Sequence, residues 1–286
     1  MSNILITGAN GQLGTQMQIE STGDENNYIF TDLKELDITD FVATTKCLSD
    51  NNIDTIVNCA AYTNVDKAEQ DIELCDKINH LAVSNLAKAA KEHNATLIHI
   101  STDYVFDGNN HTPYTEDEPT APIGIYGKTK LMGEQSVINS ECKHIIIRTS
   151  WLYSESGANF VKTMLKLTSE RETLNVIFDQ IGTPTYAGDL AKAIVAIINS
   201  DSSDKNGVYH FSNEGVCSWY DFAVEISSLA GNVCGVKPIH SDEYPSLVTR
   251  PHYSVLDKTK IKANFGLEIP HWRVSLRKCI KNLIEC

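Results

Sequence analysis

Over the first half of the chain the apolar positions switch repeatedly between two patterns. Short continuous apolar runs at Ile4–Thr7, Tyr28–Thr31, Thr55–Asn58, Thr96–Ser101 and His144–Thr149 read as buried strands. Between them the apolar residues recur at helical spacing over Gln12–Ser21, Asp40–Asp50, Ile72–Glu92 and Gly127–Asn139. In the third of these helices Leu74, Ile78, Leu81 and Ala82, then Leu86 and Ala89, form the expected core-facing stripe. Alternation of this kind predicts an α/β fold, a Rossmann-type doubly wound parallel sheet with helices on both faces.

After Trp151 the regularity loosens. Helices are expected at Asn159–Arg171, Tyr186–Asn199 and Ser218–Ala230, and strands at Leu174–Phe178 and Val208–Phe211. From Val236 onward the prolines at 238, 245, 251 and 270 give a loop-rich tail, closed by a helix near Arg273–Ile284. The expected division is a first domain over 1–150, with 174–212 returning to it. A smaller, partly discontinuous C-terminal lobe is expected from 151–173 and 213–286.

With 286 residues, 42% of them hydrophobic, the chain can bury a sizeable core. A net charge of −13 argues against a nucleic-acid partner, which needs a basic surface. The eight cysteines, Cys47, Cys59, Cys75, Cys142, Cys217, Cys234, Cys279 and Cys286, show no metal-ligand spacing and read as reduced structural thiols. The nine histidines form no HxH or HExxH arrangement, so no metal site is expected. The apolar stretch near Ile194–Ile198 is far below the roughly 18 residues of a membrane span. No signal peptide is read at the N-terminus, so a cytoplasmic enzyme without membrane contact is expected.

The chemistry concentrates where strands are expected to end. Gly8, Asn10, Gly11, Gln12, Leu13 and Gly14 form a glycine-rich turn between the first strand and the first helix. Such a turn brings backbone N–H groups close to a pyrophosphate at a helix N-terminus. Asp32 follows the second strand, where a carboxylate can bind an adenosine ribose and repel a 2′-phosphate; neighbouring Lys34 can offset that preference, so the choice of nicotinamide stays open. Asp37 and Ile38 follow a loop and read either as an adenine contact or as a helix N-terminal acid. Ala60, Ala61, Tyr62 and Thr63 read either as close cofactor packing or as ordinary strand-end residues.

Thr102 ends the fourth strand within Ser101-Thr102-Asp103-Tyr104, and Tyr126 precedes Lys130 by four residues on a helix. Residues four apart share a helix face, so the ammonium can lower the pKa of the phenol from about 10. A phenol so placed exchanges a proton with an alcohol or ketone, and the Thr102 hydroxyl can align a carbonyl with it. Trp151 reads as core packing or as a stacking platform for a sugar or base. Asp66, Lys67 and Glu69 read as a solvated helix start with local ion pairing. Arg250 reads as a diphosphate clamp or a surface arginine.

Taken together, these motifs resemble the extended short-chain dehydrogenase/reductase superfamily, and within it the dTDP-4-dehydrorhamnose reductase family. The narrower likeness is carried by residues 11–14, 65–69, 101–106, 126–130, 148–151, 159–160 and 179–185, spread over nearly the whole chain. It implies Thr102, Tyr126 and Lys130 as catalytic residues. It also implies NADPH as the cofactor, with NADH as an alternative, and a dTDP-sugar substrate near Thr102, Asp103, Tyr104 and Trp151. Asn79 is expected to fix water or backbone nearby. Family members with magnesium at a dimer interface exist, and that feature is not carried over; a homodimer is the assembly considered. Related 4,6-dehydratases have glutamate where this chain has Tyr104, a poor base, which disfavours elimination chemistry. The rival readings are another nucleotide-4-ketosugar reductase or epimerase, and a non-catalytic regulatory subunit resembling the β subunit of methionine adenosyltransferase.

Overall fold

The computed structural model describes residues 1–200, 204–245 and 248–285; Cys286 lies outside them. The first half is built from β1 (Asn3–Thr7), α1 (Gln12–Glu20), β2 (Asn27–Thr31), α2 (Phe41–Asp50), β3 (Thr55–Asn58), α3 (Val65–Ala68), α4 (Ile72–Asp76), α5 (Ala82–Glu92), β4 (Thr96–Thr102), α6 (Ile125–Asn139) and β5 (Lys143–Thr149). Then come β6 (Leu152–Tyr153), α7 (Phe160–Glu170), β7 (Thr173–Ile177), β8 (Ile181–Gly182), β9 (Thr185–Tyr186), α8 (Ala187–Ile198), β10 (Gly207–His210), β11 (Cys217–Ser218) and α9 (Trp219–Leu229). The chain closes with β12 (Gly235–Ile239), β13 (Tyr253–Ser254), α10 (Thr259–Phe265) and α11 (Trp272–Glu285).

Six strands form a parallel sheet in the order β10-β5-β4-β3-β1-β2. Its continuous apolar runs are explained by burial on both faces. One face is covered by α2 and α5 around Leu5, Ile56, Leu86 and Leu97; the other by α1 and α8 around Ile4, Ile6, Ile194 and Tyr209. The order reverses between β1 and β3, so the loops after these two strands open a crevice at the carboxyl edge, where such sheets bind ligands.

The expected helix over 72–92 is broken by a π-helical turn at Lys77–Leu81. The wider turn shifts the helix face by about one residue. Cys75, Asn79 and Val83 therefore point inward, while Leu74 and Leu81, expected in the core, are exposed.

The division of the chain also needs correcting. Residues 173–177 pair with β12, not with the central sheet, and Leu174 and Val176 pack with Tyr153, Phe222 and Trp272 in a separate core. The return to the sheet starts at α8. Ile261 and Phe265 of α10, expected in the lobe, also pack against the sheet core. Three tail elements were not expected: β12 runs through Pro238, which a two-stranded edge tolerates, β13 pairs with β8, and α10 ends on a left-handed Gly266.

Candidate active site

The carboxyl ends of β1, β3 and β4 bring the expected residues together. Gly8 has a left-handed backbone, φ 65°, and a Cβ there would lie 2.7 Å from the backbone of Ala60. A Cβ on Gly14 would lie 2.2 Å from the Gly8 carbonyl oxygen. The turn thus closes only with glycine at both positions. Gly11 caps α1 with no side chain over the helix N-terminus, which leaves that end open to an anion. Asp32 accepts the Asn10 backbone N–H at 2.9 Å and so ties the second strand to this turn.

Not every residue expected at the cofactor offers a side chain there. Ile38 and Leu13 are core residues, and Asp37 accepts the Thr39 N–H, which holds its carboxyl below the usual range. The Gln12 amide oxygen accepts from Asn159 at 3.0 Å, joining the glycine turn to the start of α7. Ala61 and Thr63 flank Tyr62, whose backbone is clamped by Asn79: the Tyr62 N–H donates to Oδ1 at 2.8 Å and Nδ2 donates to the Tyr62 carbonyl at 3.0 Å. The π-helical turn is what aims Asn79 at this loop.

Thr102, at the last position of β4, donates to Asp103 Oδ1 at 3.0 Å and accepts from the Tyr104 N–H at 3.1 Å. Burial pushes the Asp103 carboxyl up to about 6, opposed by the Ser254 and Thr102 hydroxyls. The Tyr104 and Tyr126 rings meet edge to face, with centroids 5.4 Å apart. Tyr126 stands in the first turn of α6, whose N-terminal Ile125 N–H donates to Glu69 Oε1 at 2.7 Å. Glu69 therefore caps the helix that carries Tyr126 and Lys130, rather than standing in a solvated helix start.

The phenol of Tyr126 is pushed up, not down. Burial is the main cause, and hydrogen bonding with Thr102 works against it. Lys130 is buried and donates from Nζ to the Ile100 carbonyl at 2.6 Å. Burial pushes it down to about 8, against the favourable charges of Glu134 and Cys75. The pair shares a helix face as the spacing requires, but in this state the ammonium is engaged by the strand behind it.

A cleft of about 960 Å³ lies in the lobe, lined by Phe160, Leu174, Gln180, Trp219, Tyr244 and Arg250 among others; it reaches the first half of the chain at Asp66, and Thr102, Tyr126 and Lys130 do not line it. Arg250 donates to Asp66 Oδ2 at 3.0 Å, and its Nε has no partner among the described residues. Asp66 is thus a partner for Arg250 rather than a solvated charge. Trp151, with a left-handed backbone at φ 50°, stacks on Trp219 with ring centroids 3.6 Å apart, which settles one of its faces as packing.

Comparison with known proteins fits this geometry. A family model described as the RmlD substrate binding domain matches residues 1–285. The dTDP-4-dehydrorhamnose reductase of Aggregatibacter actinomycetemcomitans is 41% identical over 288 residues, covering 97% of this chain and 98% of that protein. The chain belongs to this family. A crystal structure of a dTDP-4-dehydrorhamnose reductase from Clostridium acetobutylicum superposes with a TM-score of 0.94 at 43% identity, covering 99% of each chain. Another, from Bacillus anthracis in complex with NADP, gives a TM-score of 0.94 at 41% identity, with 98% of this chain and 99% of that one covered. The Rossmann-like fold read from the sequence agrees with both.

Two buried polar residues beside the site escaped the sequence reading: Asn58 at the end of β3 and His99 within β4. The signal was there, since a polar residue inside an apolar strand run needs a partner. Among the described residues no group of three or more His, Cys, Asp or Glu is placed to hold a metal ion, and no helix is long and apolar enough to cross a membrane.

Proposed function

We propose that the protein catalyses NADPH-dependent reduction of the C4 ketone of dTDP-4-dehydro-L-rhamnose to dTDP-L-rhamnose, with NADH as a second carrier. The observation that carries this reading is the convergence of Thr102, Tyr126 and Lys130 beside a glycine cradle, at one sheet edge, in a chain of this family.

The residues present fit a dinucleotide. A cradle that any Cβ at Gly8 or Gly14 would fill, beside the uncapped N-terminus of α1, suits a pyrophosphate. Residues 8–14 would hold that group, Asp32 the adenosine ribose, and Lys130 the nicotinamide ribose. The bound nicotinamide supplies hydride.

In the reducing direction Tyr126 has to arrive protonated. A buried phenol with a raised pKa keeps its proton until negative charge develops on the carbonyl oxygen. Thr102, fixed by Asp103, orients that oxygen, and the Lys130 ammonium stabilises the phenolate left behind. Burial opposes both charged forms, so the Tyr126–Lys130 pair gains most when both form together. Arg250 would exchange Asp66 for two oxygens of the substrate diphosphate.

The test is NAD(P)H oxidation with freshly prepared dTDP-4-dehydro-L-rhamnose, followed by NMR of the product. Formation of dTDP-L-rhamnose is expected. A C4 epimer, or turnover only with another nucleotide, would move the function to a different ketosugar reductase. No turnover, together with co-purification of a synthetase, would favour a regulatory subunit.

A further inference from the structure

Behind Lys130 the sheet carries a row of buried polar groups that the proposed reaction does not use. Thr7, Asn58 and His99 lie in register across β1, β3 and β4, each no more than 1% exposed. The Thr7 hydroxyl donates to Asn58 Oδ1 at 2.7 Å, and the Ala60 backbone N–H donates to the same oxygen at 3.2 Å. With Oδ1 committed to two donors, the amide nitrogen faces His99, and Asn58 Nδ2 lies 3.1 Å from His99 Nδ1. Nδ1 therefore accepts. Burial holds the imidazole neutral, so its single proton sits on Nε2. That nitrogen is 3.5 Å from Lys130 Nζ.

We propose that Asn58 and His99 are positioning residues for Lys130, fixing an imidazole tautomer that turns an N–H, rather than a lone pair, toward the back of the lysine nitrogen. One Lys130 donor goes to the Ile100 carbonyl. The other two have nothing to gain at His99, and are left for the cofactor ribose and the phenolate. The facing N–H also disfavours the ammonium, in the same sense as the burial that brings Lys130 down to about 8. The remaining ionisable groups around it are Cys75 from α4, Tyr126 one turn back on α6, Asp103 beyond Tyr126, and Glu134 held by Arg148 of β5. Cys75 and Glu134 favour the charged lysine. His99 is the group that can reverse its sign by moving one proton from one ring nitrogen to the other. The inference rests on the role given to Lys130 above.

Nitrogen-15 NMR of the His99 ring in the intact enzyme tests the tautomer without any turnover. A protonated Nε2 and a bare Nδ1 between pH 6 and 9 are expected; a protonated Nδ1 overturns the proposal. The second test is Asn58→Asp, which keeps an acceptor for Thr7 and Ala60 but can no longer donate to the ring. The tautomer should then reverse, Nε2 should accept from Lys130, and the alkaline limb of kcat/KM should move up by about one pH unit. In Asn58→Asp combined with His99→Leu that shift should vanish. With His99→Gln, whose carboxamide can turn over as the ring does, it should remain. An equal shift in the Leu double variant would mean charge acting through space, and would overturn the relay. Loss of reductase activity in the wild type, with the expected ring signals intact, would instead count against the proposed function alone.

Discussion

The sheet edge and the lobe that faces it are built in opposite ways. Every strand of the six-stranded sheet has four to seven residues in continuous parallel register, and its core is mainly aliphatic, with Tyr209 and Phe211 at one side. In the lobe, five of the described strands have only two residues each, and the core is richer in aromatics, with Tyr153, Tyr186, Phe222 and Trp272 buried in it. Two-residue strands such as β11, β8 and β13 pair across sequence gaps of tens of residues and hold only because side chains around them pack. The lesson is a division of labour. The half that is rigid by backbone pairing carries the groups proposed for catalysis, which would have to stay within a fraction of an ångström of a reacting atom. In the proposed function the half held by side chains would carry substrate recognition, through loops such as the one bearing Arg250.

The strongest way to break this division is at Tyr126. Tyr126→Phe keeps the ring and its contact with Tyr104 and removes only the proton donor. A fall in kcat of at least about 100-fold is expected, with NADPH affinity unchanged by fluorescence titration. Near-normal turnover would take the proton transfer away from the sheet edge.

Asp103 probes the same edge through stability. Its folded pKa of about 6 lies above the ordinary 3.8, so the folded state binds the proton more tightly. The resulting stabilisation is present below pH 3.8 and is lost as pH rises through 6, because above that the buried carboxylate stays ionised. Two units correspond to about 3 kcal/mol. Asp103→Asn removes that burden while its oxygen can still accept from Thr102, through a bond weaker by about 1 kcal/mol. A rise of about 2 kcal/mol in unfolding free energy at pH 8 is therefore expected, with no gain at pH 4 and with lower kcat. Equal stability at both pH values would show that the carboxylate is not strained by its site.

What the sequence disclosed follows the same line. The glycine turn, Asp32, Thr102 and the Tyr126–Lys130 spacing are local patterns, each written within a few residues, and the structure gathers them at one edge because parallel strands all end there. The π-helical turn was not legible, since its cue is the phase of Cys75, Asn79 and Val83 against a helix that looked regular. Nor was the pairing of Thr173–Ile177 with Gly235–Ile239, because nothing local distinguishes a strand that joins the main sheet from one that finds a partner sixty residues later. Asp66 and Glu69 looked like solvated charges until Arg250 and the start of α6 were brought to them.

On the lobe side, Arg250→Ala should raise the KM for the nucleotide sugar by about 10-fold, and Arg250→Lys, which keeps the charge but loses the fork, by about 3-fold. Nicotinamide affinity should not move in either. Asp66→Asn, which weakens the competing ion pair, should lower the same KM slightly. A change in NADPH affinity in any of these variants would erase the separation between the two halves.

A change of cofactor preference sharpens the comparison most, because Asp32 has two tasks at once. Its carboxylate accepts the backbone N–H groups of Asn10 and Leu33, and in the proposed function it would also hold the adenosine ribose. Removing it in Asp32→Ala loosens the glycine turn for either cofactor. Only for NADH does it also remove a hydrogen bond to the 2′-hydroxyl, while for NADPH it relieves repulsion of the 2′-phosphate. The loosening raises both KM values together, whereas the ribose contact splits them. We expect the KM for NADH to rise about 10-fold and that for NADPH to change by less than about 2-fold, since one charge-assisted hydrogen bond is worth about 1.5 kcal/mol. The ratio of the two, measured at fixed nucleotide sugar, is the readout. An equal rise would assign Asp32 to holding the turn, and cofactor choice would then have to come from the exposed Lys34 beside it.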